Sequence, residues 1–389
     1  MMLSGPSTDS SLQAGLVSDP DLIIPFDNIS SAEPFSASNV TLANQQWMTI
    51  WCIANLFLCA FGALLCFLLI VVIMSDKTAR IGSGCLIAHL LVIDLMMCAI
   101  HLPINTIWVF ATEIFAGLMD HCAVVFMTFQ TTAYAGSWVA LFLALNRFTA
   151  IILPLKYGAW STNNTLAKMT ISSWFMAFLC TVPFCFGIGG TITTVPPWSA
   201  CGVRKAGSNV VFTLSKVTGM YAPLIIVCVI YIAMFSWLAV RRTNVVRLRS
   251  VETILTEEFV KQRRTCRRRL IISKMLFVSS VWQCACYLPY MIISSNSQMA
   301  TQMPVLDLIL RSVFHTGYAT NPLIFLLMSD NYWKGLRRVI HNIGNCLPAD
   351  TGSRRSSATS SAGSFRSRTW SKLSTDQLVD RIRHRAFTL

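Results

Sequence analysis

Seven apolar runs, almost free of charge, alternate with short polar stretches along the chain. They lie at about 47–74, 85–110, 123–145, 166–190, 212–240, 270–294 and 304–328. Each is long enough for a helix that crosses a bilayer, which takes about 20 residues. Hydrocarbon cannot satisfy open backbone groups, so continuous runs of this kind predict helices, and a barrel would need short alternating segments. A different pattern follows the seventh run. Tyr332, Trp333, Leu336, Val339, Ile340 and Ile343 share one helical face, with Lys334, Arg337 and Arg338 off it. That pattern predicts an amphipathic helix lying on a membrane. The expected fold is an all-α membrane protein: a seven-transmembrane helix bundle at 47–328 and a short amphipathic eighth helix at 329–346. Residues 1–46 are polar and rich in Ser, Asp and Pro, and residues 347–389 in Ser, Thr and Arg. Neither has apolar periodicity, so both read as disordered tails.

Composition narrows the class. A mean hydropathy of +0.57 with only 12% charged residues excludes an ordinary soluble enzyme. The net charge of +14 raises nucleic acid as a partner, but its distribution argues against one. The first 46 residues hold no Lys or Arg and five acids, Asp9, Asp19, Asp21, Asp27 and Glu33, while the basic residues gather in later polar segments such as 263–269. This asymmetry is the positive-inside pattern, and it predicts a multi-pass plasma-membrane protein with an extracellular N-terminus. The basic margin implies contact with anionic membrane lipid. No basic region precedes an apolar core at the start, so no cleaved leader is expected. Asn28 and Asn39 open glycosylation sequons on the segment placed outside, and Asn163 opens one placed inside. Most of the 14 cysteines lie within apolar runs and act there as small hydrophobes, without metal-ligand spacing. No nucleophile elbow, phosphate loop, zinc helix or dinucleotide fingerprint is present, so neither an enzyme nor a cofactor is expected.

The third run ends at Asn146-Arg147-Phe148, stays apolar, and stops at Pro154-Leu155-Lys156-Tyr157. On its own, Arg147 is either a snorkelling cation or a group held for a purpose. The stretch resembles the third helix of rhodopsin-like seven-helix receptors, which carry Asp-Arg-Tyr there. Its form is most similar to nematode serpentine chemoreceptors of the class X and class V type. Agreement extends over roughly Trp47 to Cys346. Asp94 matches an interior acid of helix 2, Trp174 a helix-4 landmark, and Pro223 with Tyr231 the helix-5 pair. Tyr287 and Pro289 match a helix-6 switch whose aromatic is usually Trp. Asn321, Pro322 and Phe325 match Asn-Pro-x-x-Tyr, with Phe in place of Tyr. The resemblance implies a Cys122–Cys201 disulfide and a G-protein coupling and activation set of Asn146, Arg147, Phe148, Tyr231, Asn321, Pro322 and Phe325. It also places Phe129, Gln130, Tyr287, Arg311 and His315 around an outer ligand cavity. Cys346 is implied as a palmitoylation site.

Two readings stay open at Asp94: an interior hydrogen-bonded acid, or the sodium ligand it forms in relatives, where Gly136 occupies a place often filled by Ser. Arg311 is either a partner for an acidic ligand or a snorkelling cation. Phe129 stands where amine receptors carry Asp, and His315 where visual pigments carry the retinal Lys, which disfavours both ligand types. Asn146 and Arg269 replace two acids that relatives use to restrain the motif arginine. The implied activity is that of a chemosensory G-protein-coupled receptor. Its implied partners are a small-molecule or peptide ligand and a heterotrimeric G protein, with arrestin and kinases at the tail. The alternative is a seven-helix channel or transporter, which predicts repeats, broken helix pairs and several interior charges. A membrane-embedded enzyme would need clustered groups such as His89 and His101.

Overall fold

The computed structural model describes residues 37–76, 83–110, 121–153, 157–195, 198, 200–204, 210–248, 257–295 and 297–346. Asn28 and the tail at 347–389 lie outside the described residues. Among the described residues, six helices are long and apolar enough to cross a membrane: 46–75, 83–110, 122–152, 163–185, 210–240 and 269–295. A seventh span, Pro304–Met328, completes a seven-helix bundle. Its composition is more polar because it carries Asp307, Arg311, His315 and Asn321, all buried. The amphipathic helix follows as Asp330–Cys346.

The first helix runs Ala37–Ser75 and so begins ten residues before the expected boundary at 47. Nothing in Ala37–Gln46 breaks a helix. Extension from a formed helix adds a hydrogen bond per residue without a new nucleus. Asn39 therefore lies in this helix rather than in an irregular tail.

Prolines shape the second and fifth spans. Pro103 follows a five-residue π turn at Met97–His101, and Pro223 follows one at Val217–Tyr221. A proline lacks the amide proton and crowds the preceding turn, and the wider π turn relieves both. Pro289 and Pro322 stay within α-helix in the sixth and seventh spans. The fourth span, Asn163–Thr181, starts at an N-cap, where Thr162 Oγ1 accepts from the Thr165 amide at 3.3 Å.

The polar segment after the fourth span is not wholly irregular. It forms an antiparallel hairpin, β1 (Thr191–Val195) and β2 (Ala200–Arg204), with Thr194 opposite Cys201. The run Thr-Ile-Thr-Thr-Val is β-branched throughout, which suits a strand. The Cys122–Cys201 disulfide, with Cα atoms 5.4 Å apart, ties β2 to the start of the third span.

The spans are apolar on both sides. Leu91, Met97, Leu143 and Phe325 fill the interior, while Phe57, Phe175, Ile225 and Val229 project outward more than half exposed. A bundle this greasy outside suits lipid as its solvent. Tight contacts rest on missing side chains. A Cβ on Gly62 would come within 2.6 Å of the Ala319 Cα, so the first and seventh spans touch backbone to backbone only because residue 62 is Gly. Above that contact, Trp51 Nε1 and Asn55 Nδ2 donate to Ser312 Oγ at 2.9 and 3.0 Å.

Candidate functional site

Two polar regions sit at opposite ends of the bundle, joined by an aromatic and amide core. At the disulfide end, the hairpin covers a cavity of about 130 Å³. Phe129 and Gln130 of the third span and Arg311 of the seventh line it. Tyr287 and His315 do not, which corrects their placement. His315 Nδ1 donates to Asn55 Oδ1 at 2.9 Å, turning its ring toward the first span. Tyr287 lies deeper, its ring 4.9 Å from Phe314 and 4.8 Å from Tyr318. It fits there because Gly317 is bare: a Cβ would meet Tyr287 Cε1 at 2.7 Å.

Arg311 does not snorkel. It is buried, its Nε donates to Asp307 Oδ2 at 2.9 Å, and its Nη1 donates to Asn105 Oδ1 at 3.1 Å. Its guanidinium also lies 5.4 Å from the Tyr290 ring centre. The acid Asp307 escaped the sequence reading, though the four-residue spacing to Arg311 is that of a helical ion pair. Across the cavity, Lys216 donates to Ser295 Oγ at 2.7 Å and lies 4.5 Å from the Phe212 ring centre.

In the core, Asn321 Nδ2 donates to Asp94 Oδ2 at 2.5 Å and Ser279 Oγ donates to Asn321 Oδ1. Asp94, Asn321 and Ser279 are all buried, so one network links the second, sixth and seventh spans. Asp94 Oδ1 has no hydrogen-bond partner among the described residues. The thiols of Cys66 and Cys98 lie near this carboxylate, and Gly136 supplies no hydroxyl. That donor set fits a hydrogen-bonded acid better than sodium, a hard cation that wants several oxygens. Pro322 and Phe325 lie beside Asn321, all buried. His89 and His101 serve packing. His89 Nε2 accepts from Trp174 Nε1 at 3.1 Å, and His101 pairs with Thr132 at 3.2 Å.

At the other end, Arg147 is 3% exposed, and its Nε and Nη2 have no hydrogen-bond partner among the described residues. Tyr157, Tyr231 and Tyr332 lie within electrostatic reach of it. Tyr231 stacks on Phe235, and both rings meet Phe277 of the sixth span at 5.6 and 5.3 Å. Tyr332, on the amphipathic helix, was not foreseen here. Burial pushes its phenol up to about 12, against the opposing pull of Arg147. Asn146 Oδ1 lies 3.5 Å from Tyr157 Oη, and its Nδ2 has no partner among the described residues. Phe148 is half-buried beside it.

Arg269 supplies a restraint of its own. From the sixth span, its Nη1 donates to the Ala150 carbonyl of the third at 2.9 Å, and its guanidinium lies 4.9 Å from the Tyr157 ring centre. An arginine on the sixth span thus grips the third through Ala150 and Tyr157, a contact separate from the acid–arginine restraint whose two acids Asn146 and Arg269 replace. Cys346 is the last residue of the amphipathic helix.

Three comparisons bear on this arrangement. The profile of the 7 transmembrane receptor (rhodopsin family) matches residues 66–325. The galanin receptor 2a of Danio rerio is 23% identical over 79% of this chain and 86% of its own length. The D(2)-like dopamine receptor of Takifugu rubripes is 25% identical over 49% of this chain, and the match spans only 39% of that receptor. Among solved structures, squid rhodopsin superposes with a TM-score of 0.65 at 14% identity, covering 79% of this chain and 89% of that one.

Proposed function

The chain belongs to the rhodopsin family of seven-transmembrane receptors, and from that premise we propose that it is a chemosensory receptor that couples to a heterotrimeric G protein. The family is one of signalling receptors in the membrane, not of enzymes. The chemosensory reading rests on Asn146-Arg147-Phe148 with Pro154-Leu155-Lys156-Tyr157, a form that resembles that of nematode serpentine chemoreceptors. The disulfide end, with the N-terminus, faces outside, and the Arg147 end faces the cytoplasm.

One observation carries the coupling: Arg147 is buried, and two of its guanidinium nitrogens have no hydrogen-bond partner among the described residues. A buried donor without an acceptor costs about 1–3 kcal/mol, and more when charged. A carbonyl offered by a protein segment entering between the third and sixth spans would recover that cost. Entry requires the sixth span to leave Ala150 and Tyr157. A ligand at the far end promotes this only through its differential affinity for the open state. The set formed by Asn146, Arg147, Phe148, Tyr231, Asn321, Pro322 and Phe325 is then the switch. Membrane lipid holds the amphipathic helix, Cys346 takes a palmitoyl chain, Asn28 and Asn39 take glycans, and arrestin and kinases act on the tail.

The test is co-expression with a panel of G-protein α-subunits, with Arg147→Ala and wild type matched for surface display. Second-messenger output through at least one subunit that disappears in Arg147→Ala supports the reading. Output from neither form through any subunit refutes it. Epitope tags at the N-terminus and in the third loop, read on intact cells, test the orientation.

A further inference from the structure

We propose that the cavity beneath the hairpin takes a single-ring aromatic molecule of about six to nine non-hydrogen atoms, and not a peptide. This deepens the receptor reading by naming the ligand class of the same site, and it rests on that reading. Volume sets the upper limit. The cavity holds about 130 Å³, and an apolar cavity of about 150 Å³ has room for one benzene ring. A second fused ring or a stretch of peptide needs more, so the roof would have to lift. The roof is tied down. Val195 of β1 and Cys201 and Val203 of β2 line the cavity. The two strands pair from Thr191 with Arg204 to Val195 with Ala200. Cys201 is bonded to Cys122 at the start of the third span, and Ala200 packs with Val109 of the second span and Leu308 of the seventh. The hairpin is thus held to three spans, and raising it exposes buried apolar surface.

The walls suit a ring. Phe126, Phe129, Phe184, Phe212 and Tyr290 all line the space. They hold one another in fixed attitudes. The Phe184 ring centre lies 6.3 Å from Phe126 at 81° and 6.2 Å from Phe212 at 68°, edge to face in both pairs. Phe129 and Tyr290 both lean on Phe314, at 6.2 and 5.0 Å. An aromatic guest meets such edges and faces in the geometries that rings prefer, and each pair contributes beyond the area it buries. The charged side chains in the lining already hold protein partners: Arg311 has Asp307 and Asn105, and Lys216 has Ser295 and Phe212. Ring and size, rather than a charge, therefore decide the fit.

The experiment measures binding, not signalling, so its failure leaves G-protein coupling standing. Purified full-length receptor in lipid nanodiscs is titrated with benzyl alcohol, anisole and p-cresol. Naphthalenemethanol, anthracenemethanol and acetyl-Gly-Gly-Phe-Gly-Gly-amide, which carries the same ring on a peptide, are titrated in parallel. Calorimetry and thermal shift are the readouts, and empty nanodiscs give the partition into lipid to be subtracted. The expected result is saturable binding of at least one single-ring compound, with the fused rings and the peptide about tenfold weaker or more. Two variants move the size limit in opposite directions, which a loss of fold cannot do. Ser294 lines the cavity, and Ser294→Phe fills it from the sixth span and is expected to abolish binding. Phe129→Ala removes a ring from the wall and is expected to bring naphthalenemethanol to the affinity of benzyl alcohol. Ligand-free melts of both variants report their folding. Fused-ring or peptide binding as tight as that of the best single ring overturns the proposal. So does single-ring affinity unchanged by Ser294→Phe, a size limit unmoved by Phe129→Ala, or no binding by any single-ring compound.

Discussion

Arg269→Gln removes the grip of the sixth span on the third. In the structure this side chain donates one charge-assisted hydrogen bond to the Ala150 carbonyl at 2.9 Å and lies 4.9 Å from the Tyr157 ring centre. A hydrogen bond from a charged donor contributes about 1.5–3 kcal/mol, and a cation over an exposed ring about 0.5–1 kcal/mol. Arg269 is only half-buried, so the low end of each applies, and the pair sums to about 2 kcal/mol. Both contacts bridge spans that must part for a partner to enter, so nearly all of this energy favours the closed state. Losing it raises the open-to-closed ratio about thirtyfold. A receptor open about 1% of the time would become open roughly a quarter of the time. The assay is ligand-free second-messenger output, normalised to surface receptor. Spin labels on the cytoplasmic ends of the third and sixth spans report the separation directly. Higher basal output together with a longer distance population is expected. A distance distribution identical to wild type would refute the reasoning whether or not any G protein couples.

Asn146→Asp sets a carboxylate beside Arg147, whose Nε and Nη2 have no partner among the described residues, and should lower basal output severalfold; equal output in matched cells counts against the role given to that arginine. Gly62→Leu cannot be accommodated against Ala319, and the purified protein should unfold at least several degrees lower by fluorescence-detected thermal melt, because backbone contact between the first and seventh spans is lost. Asp94→Ala strips the acceptor from Asn321 and is expected to cost about 1–3 kcal/mol of stability, with Asp94→Asn milder, in the same melts. Cys201→Ala frees β2 from the third span. It should loosen the cover over the cavity and shorten the residence of any bound ligand, as followed by dissociation kinetics.

How much of this could be read from the chain depends on how local each signal is. The spans announce themselves because a bilayer demands continuous apolar length, and even the polar seventh keeps an apolar stripe between its buried groups. Cys122 and Arg147 stand 25 residues apart on one helix, a spacing legible without coordinates. The Asp307–Arg311 pair was also legible, since an i,i+4 spacing inside a membrane run has few other uses. Asn55 is a solitary amide among apolar neighbours, and the same logic marks it. The sixth-span clamp is different. Arg269 and Tyr157 are more than a hundred residues apart, and only the bundle brings them together. Tyr332 near Arg147 likewise needs the turn at Ser329. The placement of Tyr287 and His315 failed for a related reason. Register gives a residue's depth along a helix, but Gly317 and Asn55, on other turns and other helices, decide which way each ring turns.

The π turn at Met97–His101 inserts one residue more than an α-helix would use at that height. Each residue of a helix advances its side chains by about 100°. Everything from Leu102 to Phe110 is thereby swung around the axis by that angle relative to an uninterrupted rod, and this rotation is what presents the Asn105 amide to Arg311. Straighten the bulge into α-helix with every residue kept and the wheel turns back: the hydrocarbon side chain of Ile104 would occupy the place of that amide, the arginine would lose an acceptor, and the ligand end of the receptor would be rewired without touching either charge, whereas deleting one residue of the bulge would leave Asn105 where it is.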